Sequence, residues 1–151
     1  MKVFKLNPKA RAYNNGSVVT IGNFDGVHLG HQALILHTRK HADVQSLPLF
    51  VLVFEPQPKE FFQGQDAPPR LFGLREKLWM LKKLGVDYVG CIRFNQDFAK
   101  RSPNDFFQFL VHDCYAKAMV IGQDFYFGQG RSGSPNAMQD LARDASRSRI
   151  K

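Results

Sequence analysis

The chain has 151 residues, of which 44% are hydrophobic and 23% charged, and its formal net charge at pH 7 is +8. These values are typical of one globular domain and exclude a disordered chain. The sequence has no apolar run long enough to span a bilayer and no signal-peptide pattern, so we expect no membrane partner. The basic residues are scattered, which disfavours nucleic acid as a partner. Cys91 and Cys114 lack CxxC spacing and are expected to be free thiols of a cytoplasmic protein.

In the first half of the chain, strand patterns alternate with a helix pattern. Residues 17–21 (SVVTI) are mostly β-branched and predict a buried strand, followed by a turn-rich loop at 22–26 (GNFDG). A helix is predicted over 30–39. A second apolar strand is predicted over 47–54, and the prolines that follow it end the strand.

The second half of the chain continues the alternation. Residues 74–84 place leucines on one helix face, and 88–94 predict a third strand. Ser102 and Pro103 have the pattern of a helix N-cap followed by proline at the first helical position. A fourth short strand is predicted over 118–121, and a short helix is possible around 139–142. The whole pattern predicts a single-domain α/β fold with a doubly wound parallel sheet, in which ligands bind beyond the carboxyl ends of the strands.

The loop after the first predicted strand has the composition of a phosphate-binding site. It reads Ile21-Gly22-Asn23-Phe24-Asp25-Gly26-Val27-His28-Leu29-Gly30-His31. Backbone N–H groups at the start of the following helix are unpaired and attract anions. His28 and His31 lie on one face of the first turn, where two imidazoles can donate to phosphate oxygens. Gly30 between them lets a phosphate approach the backbone.

This segment resembles the HxGH nucleotidyltransferases through its G-x-F-D-x-x-H-x-G-H pattern, and the longer VVTIGNFDGVHLGHQALI is similar to the prokaryotic FAD synthetases. Three further blocks resemble that family in the same order: LVFEPQPKEFF at 52–62, the segment at 68–94, and VIGQDFYFGQGRSG at 120–133. Four ordered blocks are much more specific than one short motif. The resemblance implies a Rossmann-like sheet of the nucleotidyltransferase type.

The resemblance also implies an activity, transfer of AMP from ATP to FMN to give FAD and pyrophosphate in riboflavin metabolism, with FMN and ATP as substrates and Mg²⁺ bound with ATP. It implies His28 and His31 as the catalytic residues and Asp124 as a metal ligand. Residues implied in nucleotide and flavin binding are Gly22, Asn23, Phe24, Asp25, Gly30, Pro56, Pro58, Phe61, Phe62, Asp124, Phe127 and Arg131.

Each of these residues also has a simpler interpretation. The histidines could be zinc ligands or ordinary helix-start residues, and Asp25 could be only a turn or N-cap residue. The prolines could only end a strand, the phenylalanines could belong to the core, and Arg131 could be an exposed arginine.

The sequence departs from the family pattern after residue 133. Family members continue into an I-S-S-T-x-x-R motif that grips the ATP phosphates, whereas this chain has only Ser146-Arg147-Ser148-Arg149, which lacks the spacing. We therefore expect a nucleotidyltransferase domain over 1–133, a polar tail or partial helix over 134–151, no riboflavin kinase domain, and a sheet that is incomplete at its C-terminus. A catalytically weak nucleotide- or flavin-binding remnant, and a transferase for another phosphate-bearing acceptor, remain alternatives. The oligomeric state is not predicted.

Overall fold

A computed structural model of the chain describes residues 1–6, 16–25, 29–66, 73–122 and 125–149. The strands are β1 (Lys2–Leu6), β2 (Ser17–Ile21), β3 (Leu49–Phe54), β4 (Tyr88–Ile92) and β5 (Ala116–Val120). The α-helices are α1 (Leu29–Gln45), α2 (Pro58–Gln63), α3 (Leu74–Lys83), α4 (Gln96–Ala99), α5 (Pro103–His112) and α6 (Pro135–Arg149), and 3-10 turns lie at Gly64–Asp66 and Gln129–Arg131.

The five strands form one parallel sheet in the order β1-β4-β3-β2-β5. Its centre is a run of apolar residues, because a parallel strand covered by helices on both faces has no solvent side. One row of paired residues crosses the whole sheet: Val3, Val89, Val51, Thr20 and Val120. The predicted α/β fold with a doubly wound parallel sheet is confirmed.

Helices cover both faces of the sheet. On one face, Ile35 of α1 and Leu81 of α3 pack against Val51 and Val89. On the other face, Phe106 and Leu110 of α5 and Met138 of α6 pack against the strand side chains that point to that side of the sheet. Within the described ranges no helix is both long and apolar enough to cross a bilayer.

Several predicted elements match, and their local causes are visible. The Ser102 hydroxyl accepts from the backbone N–H of Asp105 at 3.1 Å, so α5 begins where its N-cap pattern predicts. Gly85 follows α3 with a φ of +87°, a conformation in which glycine carries no Cβ penalty.

Several elements differ from the predictions: β1, α2 and α4 were not predicted, and α6 is longer than expected. The strand β1 was not predicted, because Lys2 and Lys5 leave only short apolar stretches in its five residues and its partner β4 lies far along the chain. The short helix predicted around 139–142 is instead the long α6. Ser134 is its N-cap, accepting from the backbone N–H of Ala137 at 3.1 Å, and Pro135 is its first residue.

Candidate active site

The topology places a crevice between β2 and β5. From β2 the chain adds β3 and then β4 in one direction, whereas β5 lies on the opposite side of β2. Ligands of open α/β sheets bind at such a switch point, outside the carboxyl ends of the strands. The loop 22–25 leaves β2 at this edge, and residues 121–122 leave β5 beside it.

Phe24 lies at the centre of this loop but has a structural role. Its side chain is fully buried in the core between the sheet and α1, and its backbone has a φ of +50°, which is uncommon for a bulky residue. A Cβ at Gly22 would come within 3.1 Å of the Phe24 ring, so this position favours glycine. Phe24 therefore fixes the course of the loop, and only its backbone is available to a ligand.

His31 lies in the first turn of α1, and its ring packs edge-on against Phe24 with the centroids 5.2 Å apart. Its Nδ1 atom is buried. The packed ring holds an imidazole close to the helix start, where the backbone dipoles favour an anion. Gly30 is exposed in the same turn. His28, the other predicted catalytic histidine, lies outside the described residues.

A cavity of about 520 Å³ opens beside this loop. Aromatic side chains make up most of its wall, and the lining residues are Asn23, Phe54, Pro58, Phe62, Gln63, Phe94, Phe98, Ala99, Phe106, Phe125, Tyr126, Phe127, Gly128, Gly130 and Arg131. The volume is in the usual range for a site that takes a small organic molecule.

Several aromatic rings of the wall contact one another in edge-on pairs. Phe94 packs against Phe54, Phe62 and Phe98 with centroid separations of 5.6 to 5.7 Å. Phe98 in turn packs on Phe106 at 5.7 Å. Such pairs stabilise a fixed arrangement, so the cavity has firm apolar walls.

Asn23 connects the cavity with the loop after β2 and the helix start that follows it, residues 22–31, here called the glycine–histidine loop. It lines the cavity, and its Oδ1 atom is buried without a hydrogen-bond partner. Leaving a buried acceptor unpaired costs about 1–3 kcal/mol, so such a group at a cavity wall marks a place where a ligand donor fits.

The loop between Phe127 and Gly133 places Arg131 at the cavity. Phe127 and Gly133 close the loop by forming an isolated antiparallel bridge, with two backbone hydrogen bonds of 3.0 and 2.8 Å. Arg131 itself has a φ of +57°, and its guanidinium carbon lies 4.9 Å from the centroid of the Tyr126 ring. Strained backbone of this kind is common at functional sites. The loop adds one positive charge to a wall that is mainly aromatic.

The structure brings together only some of the residues predicted for substrate binding. Asn23, Pro58, Phe62, Phe127 and Arg131 line one cavity. Pro56 is exposed and lies outside the lining set; Phe61 packs behind the wall, against Phe62 at 5.1 Å and Phe94 at 5.4 Å. Asp25, Gly22 and Gly30 belong to the loop and helix start instead. Asp124 lies outside the described residues.

Sequence reasoning missed several cavity residues, above all Phe94 and Phe98. Both follow β4 at the carboxyl edge of the sheet. The sheet rule does direct attention to the loop after residue 94, but it cannot say which phenylalanine faces a cavity and which faces the core.

The two cysteines are free thiols, as predicted. Burial is the main cause that raises the pKa of Cys114 to about 12, and the Asp113 carboxylate adds to it. Burial also raises the pKa of Cys91. Neither thiol is therefore a ready nucleophile. Among the described residues, no three His, Cys, Asp or Glu side chains come together in a way that could hold a metal ion.

Comparison with known proteins identifies the family. The model of the FAD synthetase family matches residues 10–149. A bifunctional riboflavin kinase/FMN adenylyltransferase from Haemophilus influenzae is 48% identical over 120 residues, which are 79% of this chain and 39% of that protein. The protein of the same description from Escherichia coli K12 is 46% identical over 135 residues, 88% of this chain and 43% of its own length. The chain thus spans less than half the length of these two relatives.

Solved structures agree on the fold. A crystal structure described as a macrolide-efflux protein from Streptococcus pneumoniae superposes with a TM-score of 0.83 at 28% identity, covering 92% of this chain and 46% of that one. The pantothenate synthetase of Thermus thermophilus superposes with a TM-score of 0.50 at 20% identity, over 97% of this chain and 47% of that one, which supports the fold alone. The match to the family model extends over most of the chain and includes both the glycine–histidine loop and the aromatic cavity, and the chain belongs to the FAD synthetase family.

Proposed function

We propose that this chain is an FMN adenylyltransferase, which transfers AMP from ATP to the phosphate of FMN and releases pyrophosphate, in the cytoplasm. The observation that carries the proposal is the junction at Asn23. There, the glycine–histidine loop and the start of α1 lie beside an aromatic cavity of about 520 Å³. One half of the site suits phosphates and the other suits a flat aromatic ring, and FMN contains both groups.

The isoalloxazine ring is proposed to occupy the aromatic cavity. A planar ring system gains from edge-on and stacked contacts with Phe62, Phe98 and Phe127. The ring also carries an N–H group, which can donate to the unpaired Oδ1 of Asn23. Arg131 supplies the positive charge that an FMN phosphate requires. These features favour an aromatic acceptor over other phosphate-bearing acceptors.

In the proposed reaction, an oxygen of the FMN phosphate attacks the α-phosphorus of ATP. A new phosphorus–oxygen bond forms as the bond to the leaving pyrophosphate breaks. The attacking phosphate is already ionised, so the protein needs no nucleophile of its own. It must position two anions that repel each other and stabilise the charge that develops on the α-phosphate and pyrophosphate. We assign that stabilisation to His28, His31 and the backbone N–H groups at the start of α1.

A Mg²⁺ ion bound with ATP would neutralise negative charge on the phosphates. Such an ion typically keeps one or two protein carboxylates and takes its other ligands from phosphates and water. We propose Asp124, outside the described residues, as its protein carboxylate.

Flavin binding can be tested by titrating FMN with the chain and following the flavin fluorescence. Phe62 lines the cavity and is 68% exposed, so Phe62→Ala should leave folding intact and weaken FMN binding about tenfold, which corresponds to about 1.4 kcal/mol of lost aromatic contact. Trp79→Ala is the matched control, because Trp79 is 57% exposed and lies outside the cavity lining. Equal affinities in the two variants would contradict the assignment of the cavity to flavin.

A further inference from the structure

Two of the five histidines in the chain form a pair on the outer surface of α1. His37 and His41 are four residues apart, so they lie one above the other on one face of the helix. Both are exposed, and their ring centroids are 4.8 Å apart with an interplanar angle of 81°. The proposed adenylyl transfer makes no use of this pair.

The separation of the two rings fits chelation of a single metal ion. With a metal–nitrogen bond of about 2.0 Å, two imidazoles bound to one ion at angles of roughly 90° to 110° have centroids roughly 4.5 to 5.2 Å apart. The observed 4.8 Å lies inside that interval. Because both side chains are exposed, rotation about their torsions can bring one ring nitrogen of each to a common point without repacking the core.

We propose that His37 and His41 form a bidentate surface site for a divalent transition-metal ion of the Zn²⁺, Ni²⁺ and Cu²⁺ group. Imidazole is a preferred ligand of these ions, whereas Mg²⁺ and Ca²⁺ require oxygen ligands. The site is therefore selective against the Mg²⁺ that accompanies ATP. Water or an added ligand fills the remaining coordination positions.

The site is separate from the glycine–histidine loop. Along α1, His37 and His41 lie about 9 and 15 Å beyond His31, at a rise of about 1.5 Å per residue. Of the neighbouring cationic side chains, Arg39 is held in ion pairs with Asp43 and Asp87 at 2.9 and 2.6 Å, while Lys40 is exposed. The Lys40 charge opposes cation binding and limits affinity.

Two protein ligands give a weak, exchangeable site. If two imidazoles supply about half the binding free energy of a four-ligand zinc site, the dissociation constant falls between roughly 10⁻⁶ and 10⁻⁴ M. Loss of either imidazole removes chelation, so a single substitution should raise the dissociation constant at least about tenfold.

Isothermal calorimetry of the chain without any histidine tag, titrated with NiCl₂ and with ZnCl₂, tests the proposal. We expect one saturable site, at least about tenfold weaker in His37→Ala and in His41→Ala. Alanine keeps the helix, and circular dichroism of each variant checks that it does. His112→Ala, an exposed histidine on α5, is the matched control and should bind as the unchanged chain does.

A gain-of-function variant keeps the test independent of any loss of folding. Gln45 lies one turn beyond His41 on the same exposed face, so Gln45→His adds a third imidazole and should tighten binding about tenfold. Absence of saturable binding would overturn the proposal. It would also be overturned by binding that survives His37→Ala, or by binding that is lost only in His31→Ala, since the latter would place the metal at the glycine–histidine loop.

Discussion

The packing of Gly133 against Phe127 makes a sharp test of the cavity wall. A Cβ at Gly133 would lie 2.6, 2.7 and 2.8 Å from three carbons of the Phe127 ring, closer than real Cβ contacts allow. That ring cannot move freely, because it lies 5.5 Å from Phe106 and 6.1 Å from Phe125, centroid to centroid. Gly133→Ala should therefore displace a ring that forms part of the proposed flavin site.

The expected magnitude follows from the cost of overpacking. One added methyl group in a filled core typically destabilises by about 1–3 kcal/mol. With a urea m-value of about 2 kcal/mol/M, the unfolding midpoint should fall by about 0.5–1.5 M. The displaced ring should also weaken FMN binding about tenfold, the equivalent of about 1.4 kcal/mol.

Two further variants separate the clash from other effects of the substitution. Phe127→Leu replaces the ring with a smaller side chain and should relieve the contact. The double variant with Gly133→Ala should therefore lose about 1 kcal/mol less free energy of unfolding than the sum of the losses in the two single variants. Gly64→Ala is the matched control, because Gly64 has a φ of +57° but nothing within 4 Å of an added Cβ. It should lose some stability and keep FMN affinity.

Urea denaturation followed by circular dichroism, together with FMN titration, measures both quantities. Unfolding of Gly133→Ala at the same urea concentration as the unchanged chain would refute the predicted clash with Phe127. Strict additivity in the double variant would also refute it, because it would show that the two positions do not touch.

Three other predictions follow from the structure. Arg39→Ala removes hydrogen-bond donors to Asp87 and to the carbonyl of Gly85, which lie at the amino ends of the strands, away from the site. Urea denaturation should therefore show that the free energy of unfolding falls by about 2 kcal/mol, while FMN affinity stays unchanged. Because the pKa of Cys114 is about 12 in the folded chain and 9.0 ordinarily, its contribution to stability is complete below pH 9 and is lost as pH rises toward 12. The free energy of unfolding, compared with that of Cys114→Ala, should therefore decline by at most about 1.36 kcal/mol per pH unit in that window, and parallel curves would contradict this. Asn23→Leu replaces the unpaired acceptor with an apolar group of similar size, so the chain should be at least as stable in urea but bind FMN more weakly, and unaltered FMN affinity would argue against a ligand bond to Oδ1.

The parts of the fold that could be predicted from the sequence are those with local causes. The β-branched run of β2 and the Ser102-Pro103 helix start are both encoded within a few residues, and the structure confirms both. The same local signal, Ser134 followed by Pro135, marks the start of α6, although the polar composition of the segment concealed a helix of that length.

The parts that could not be predicted depend on contacts between distant residues. The strand β1 is defined by its pairing with β4, and nothing within its own five residues reveals that partner. The aromatic residues present the same difficulty. Phe24 lies in the core while Phe94 and Phe98 line the cavity, a division set by the packing of several separate loops rather than by spacing. The glycine–histidine loop could be proposed as a phosphate site from the sequence alone, because its glycines, its histidines and a helix start are adjacent in the chain.

The most direct test of the proposed function is FAD formation by the 151-residue chain from FMN, ATP and Mg²⁺, separated and quantified by HPLC. We expect FAD and pyrophosphate in equal amounts. We also expect a rate about 10²-fold lower in His31→Ala, since removal of one oxyanion donor costs about 2.7–4 kcal/mol, and an unchanged rate in His112→Ala. A rate of FAD formation that is unaffected by His31→Ala, or no FAD from a chain that is folded and binds both substrates, would contradict the assignment of the glycine–histidine loop as the catalytic centre.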